Sequence, residues 1–131
     1  MRAVTRGLPK QPRKEKHFAA MPWREVPSFI ANIENTLNSA EPVRLAVEFC
    51  ILTASRSGEV RGMTWSEVDL EGKCWLISGE RMKTGKAHRV PLSDRSIATL
   101  NRMKKLRHTD DDGALVFEGA RKGRPLSDMS L

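Results

Sequence analysis

Two short stretches hold the side chains best suited to chemistry. In "TASRSGEV", residues 53–60, Arg56 and Glu59 stand where a long apolar run breaks off. An arginine at the end of a buried helix, flanked by small residues, offers a planar five-donor fork that fits a phosphate. The same fork can instead tie down helix-end carbonyls or pair with Glu59, and spacing alone leaves both open. Glu59 accordingly either orients Arg56 for an outside ligand or neutralises it. In "GERMKTGKAHRVPL", residues 79–92, Arg81, Lys83, Lys86 and Arg89 gather around Thr84 and Gly85. A lysine beside a glycine turn carries its ammonium on a mobile arm. That arm can follow a polyanion or, with its pKa lowered by neighbouring positive charge, hand a proton to a departing oxygen. A solvated strand edge whose lysines discourage aggregation is the plainer alternative.

Other candidates are weaker. Asp110, Asp111 and Asp112 are three consecutive carboxylates, but neighbours on a loop seldom converge on one ion, and a solvated turn is the expectation. Cys50 and Cys74 lie in apolar surroundings without metal-ligand spacing and read as free thiols. His17, His88 and His108 are too scattered for a local metal motif. No metal and no cofactor is expected.

The elements that must position Arg56 and Lys83 can be read from periodicity. Pro27 and Ser28 open a helical segment with Phe29, Ile30, Ile33 and Leu37 on one face. Pro42 starts a second helix over 42–54, apolar nearly all round and therefore central. Ser57 is expected to cap a third, "GEVRGMTWSEV". "KCWLIS" reads as a strand, followed by a Thr84-Gly85 turn and a second strand through His88, Val90 and Leu92. Ser93 or Asp94 caps a helix bearing Ile97, Leu100 and Met103, and "ALVFEG" reads as a further short strand. "LSDMSL" looks like the first turn of another helix. The fold class is α+β, mostly helical with a small three-stranded antiparallel sheet.

A chain of 131 residues is enough for about one domain. Residues 1–20 read as a flexible basic linker and 21–131 as the ordered domain. The 23 Lys and Arg against 16 Asp and Glu leave a net charge of +7, which favours a polyanionic partner without saying which. No apolar run approaches the roughly 20 residues of a membrane span, and the start lacks the apolar middle of a secretory signal, so a cytoplasmic location without membrane contact is expected.

The order of these stretches carries more than either alone. The central helix, then "T-A-x-R-x-G-E", then "K-T-G-K-x-x-R-V-P-L", then "LVFEG…GRPLSDMSL" resembles the catalytic domain of tyrosine recombinases, specifically phage and prophage integrases, from about Phe18 onward. The resemblance implies the N-terminal part of that domain, from a site-specific recombinase that breaks and rejoins double-stranded DNA through a phosphotyrosine link. It implies that Arg56 binds the scissile phosphate, that Glu59 supports Arg56, and that Lys83 protonates the leaving 5′-hydroxyl. Arg81, Lys86 and Arg89 are then expected as DNA contacts, and the full-length protein as a tetramer on DNA. Phosphoryl transfer without a metal needs fixed cationic donors, an acid for the leaving group and an activated nucleophile, which suits these residue types.

The departures matter equally. The family nucleophile is a tyrosine, and these 131 residues contain none. The later His-x-x-Arg box is also missing. "KKLRHT", residues 104–109, imitates the end of that box, but it directly follows "VPLS" and its helix, ahead of "ALVFEG", and a basic last turn is ordinary for a helix dipole. The chain is therefore expected to be inactive alone. The alternatives are a non-catalytic DNA-binding remnant of a prophage integrase and a general basic RNA-associated protein.

Overall fold

The computed structural model describes residues 19–128. Most of the basic N-terminal stretch, and the last three residues of "LSDMSL", lie outside that range.

After a 3-10 turn at Trp23–Glu25 come two short helices, α1 (Val26–Ala31) and α2 (Ile33–Thr36). The single helical face expected here is bent at Asn32, yet Ile30 and Ile33 are both buried, as the spacing predicts. Helix α3 (Glu41–Thr53) has Pro42 in its first turn, where the missing N–H costs no intrahelical bond. It buries Leu45, Ala46, Glu48 and Phe49. It is less enclosed than its composition suggests, since Ile51 is exposed.

Ala54 ends α3 in the left-handed region, at φ 50°, and the Ser55 N–H reaches back to the Cys50 carbonyl at 3.3 Å. This closure swings the chain away from the helix axis. Helix α4 follows (Ser57–Arg61), with extended Arg56, not Ser57, as its N-cap. The run expected as one helix breaks after Gly62, and Trp65–Glu67 forms a separate 3-10 turn.

The sheet has three antiparallel strands in the order β1 (Val68–Asp69), β2 (Cys74–Ile77) and β3 (His88–Pro91). Trp75 pairs with Val68 on one side and Val90 on the other. The segment "ALVFEG" forms no strand of this sheet. It makes isolated bridges, Thr64 with Leu115 and Glu118 with Pro125. Its consecutive Val116 and Phe117 are both buried, so it lacks the alternation of a half-exposed strand. Helix α5 (Asp94–Leu106) is capped by Ser93, whose Oγ accepts from the Ser96 N–H at 3.2 Å.

Phe49 of α3 is the hub of the core. Its ring lies 5.7 Å from that of Trp75 on β2 and 5.6 Å from that of Phe117, both tilted, as aromatic quadrupoles favour. Val60, Met63, Ile77, Val90, Leu100 and Leu126 complete the same cluster. One apolar unit thus fixes the end of α3, the start of α4 and the root of the β2–β3 hairpin against each other. Among the described residues no helix is long and apolar enough to cross a membrane.

Candidate functional site

Arg56 stands just outside the core at the N-terminus of α4. Its extended backbone lets Glu59, one turn on, fold back: Oε2 accepts from the Arg56 N–H at 3.0 Å and Oε1 from Nη1 at 2.8 Å. This is the carboxylate half of a capping box; a guanidinium has no acceptor with which to make the other half. The Arg56 side chain is 77% exposed and that of Glu59 only 12%. One edge of the fork is therefore fixed to the protein and the remainder faces solvent. Partial burial raises the Glu59 pKa, but the N–H and guanidinium of Arg56, helped by the nearby His88 of β3, outweigh it and hold the carboxyl below its ordinary value. Behind this pair, burial and the Glu59 charge push the Cys50 thiol up to about 11. Cys50 and Cys74 are free and partly buried.

The β2–β3 connection is longer than the tight turn expected. A 3-10 turn at Gly79–Arg81 leads into it, Gly85 takes φ 68°, and the loop closes at a neck where a Cβ on Gly79 would lie 2.6 Å from the Gly85 carbonyl oxygen. Lys83, Lys86, His88 and Arg89 are all exposed on this hairpin.

Arg81, expected as a DNA contact, is engaged within the protein. Its guanidinium turns inward, with Nη1 on the Glu67 carboxylate and Nη2 donating to the Glu59 carbonyl at 2.5 Å. Its side chain is 27% exposed. The sequence reading missed Glu67, which also accepts from Trp75 Nε1 at 3.1 Å and the Thr64 N–H at 3.3 Å. The one available signal was Thr64 with Glu67 three residues later, a capping-box spacing.

The structure therefore joins the two stretches at their roots, through Glu59, and leaves Arg56, Lys83, Lys86 and Arg89 exposed. Each of these four side chains is open to solvent. A hollow of about 340 Å³ lined by Pro42, Met103, Leu106 and Val116 includes none of them. Such exposure suits an extended polyanion better than a small enclosed ligand.

The imitation box at 104–109 is elsewhere engaged. Arg107 lies over the Trp65 ring at 5.3 Å and pairs with Asp112 at 3.3 Å, and its side chain is only 11% exposed. Asp111 accepts from the Gly113 N–H at 2.9 Å, and the three aspartates make an ordinary turn. Among the described residues no three His, Cys, Asp or Glu side chains are grouped to hold a metal ion.

Comparison with known proteins places this geometry. The phage integrase family matches residues 20–131. The integrase of Enterobacteria phage P4 is 30% identical over 118 residues, covering 81% of this chain and 26% of that protein. Prophage integrase IntZ of Escherichia coli K12 is 30% identical over 119 residues, covering 91% of this chain and 28% of that protein. Among solved structures, the Tn1549 transposon integrase in complex with circular intermediate DNA superposes with a TM-score of 0.66 at 18% identity, over 86% of this chain and 42% of that one. XerA recombinase does so with 0.59 at 19% identity, over 87% and 39%. The chain thus spans under a third of these two curated relatives.

Proposed function

The chain belongs to the phage integrase family, and from that premise we propose that it supplies the phosphate-gripping and leaving-group side of a DNA recombinase site. Arg56 donates to the non-bridging oxygens of the scissile phosphate while Glu59 holds its inner edge. Lys83 stands at the leaving oxygen. In the step, a tyrosine oxygen, its proton passing to a base outside this chain, bonds to phosphorus as the bond from phosphorus to the 5′-oxygen breaks. Lys83 gives that oxygen its proton. Lys86 and Arg89 contact the DNA backbone, and the complete recombinase works as a tetramer on double-stranded DNA. The observation that carries this reading is the shared root: Glu59 holds Arg56 by its carboxylate and receives the hairpin's Arg81 on its carbonyl.

The tyrosine is not among these 131 residues, so this chain alone forms no covalent adduct. The experiment is twofold. With a nicked suicide duplex the chain should yield no adduct, and Arg56→Ala should lower the salt slope of DNA binding by about one. In a recombinase joining this chain to a tyrosine-bearing segment, Arg56→Ala should abolish cleavage while much of the DNA affinity stays. Uniform loss of binding to any polyanion, with cleavage untouched, would refute the assignment.

A further inference from the structure

We infer that Arg81 is a positioning residue whose guanidinium, held between the Glu67 carboxylate and the Glu59 carbonyl, sets the lysine loop against the arginine box. The inference rests on the reading of Lys83 given above. Arg81 closes the 3-10 turn that leads into the loop and lies two residues before Lys83. Its outer anchor is itself immobilised: Glu67 accepts from Trp75 Nε1 at 3.1 Å, and Trp75 is fully buried. Its inner anchor is the backbone of the residue whose carboxylate clamps Arg56. A single planar group therefore spans three pieces of chain, namely the hairpin, the Trp65–Glu67 turn and α4.

The surroundings are cut to this group. A Cβ on Gly62, at the end of α4, would stand 2.9 Å from Arg81 Nη2, so a side chain there would push the guanidinium off Glu59. Lysine cannot replace it, because one ammonium lacks the flat fork needed to serve a carboxylate and a carbonyl in fixed directions at once. A group with both terminal nitrogens committed to protein acceptors is also poorly placed to grip a phosphate. Arg81 acts on the substrate only through where it places Lys83.

Salt-dependent binding of duplex DNA by the chain, followed by fluorescence anisotropy, tests this with Arg81→Lys, Glu67→Gln, Lys83→Ala and the Arg81→Lys/Lys83→Ala pair, each checked for an unaltered circular dichroism spectrum. Arg81→Lys and Glu67→Gln should each weaken binding about five-fold, although the first keeps the net charge and the second makes it more positive; in the Lys83→Ala background Arg81→Lys should add under about two-fold. Tighter binding by Glu67→Gln, the outcome of simple charge removal, overturns the inference and leaves Lys83's role standing. So does a fully additive loss in the pair. If Lys83→Ala binds as the parent does, no coupling through Lys83 exists and the inference is overturned, while the proton-donor role of Lys83 is judged separately by cleavage in the joined recombinase. Should Arg81→Lys or Glu67→Gln unfold, Gly62→Ala takes their place, and unchanged affinity there overturns the inference.

Discussion

Both carboxylate oxygens of Glu59 close on one residue, Arg56, one on its backbone N–H at 3.0 Å and one on Nη1 at 2.8 Å. The pair is a helix cap and a guanidinium clamp at once, so stability and site geometry share one titrating group.

That sharing gives a pH signature. The folded pKa of Glu59 lies below its ordinary 4.5. Its contribution is therefore complete above about pH 4.5 and is lost as the pH falls through the folded value, where protonation removes the acceptor. Glu59→Gln should cost about 1 kcal/mol near neutrality, the usual scale of a lost cap. Thermal unfolding from neutral to acid pH should show the gap between parent and variant narrowing in acid; a gap independent of pH would contradict the clamp.

The hairpin neck predicts a second effect. Gly79→Ala would drive a Cβ to 2.6 Å from a backbone oxygen of Gly85, and backbone cannot swing aside as a flexible side chain can. The loop should open, at a cost of about 2 kcal/mol. Amide hydrogen exchange should quicken at Gly85, whose N–H donates to the Met82 carbonyl at 2.9 Å, while the paired residues of β2 remain protected.

Arg107 separates the imitation box from the real one. Stacked on Trp65 and paired with Asp112, it should contribute to folding and not to DNA binding. Arg107→Ala is expected to lower stability by about 1 kcal/mol, with DNA affinity falling no more than the loss of one distant charge explains. A loss of cleavage in the joined recombinase, comparable with that of Arg56→Ala, would restore it as a phosphate ligand.

Phe49 tests whether the core transmits to the site. Phe49→Ala would leave a void facing both Trp75 and Phe117, and should cost about 3–5 kcal/mol in urea unfolding. A cost under about 1 kcal/mol would mean the void collapses and the three elements are not held by this ring.

The sequence by itself determined the chemistry and its order: an arginine with a carboxylate one turn later, then a lysine in a glycine-bearing hairpin, and the helices on either side whose apolar spacing is local information. Residue type and 3.6-residue periodicity are both written along the chain, which is why α3, α5 and the β2–β3 pairing could be read directly. Only the tertiary structure decided which cations look outward. Arg81 and Lys83 are two residues apart and alike in charge, yet Arg81 turns in to meet Glu67 and Glu59, 14 and 22 residues earlier. No local pattern carries a partner at that distance. The third strand was misplaced for the same reason: Val68–Asp69 becomes β1 because buried Trp75 lies opposite Val68, a pairing set by packing, since a two-residue stretch has no periodicity of its own.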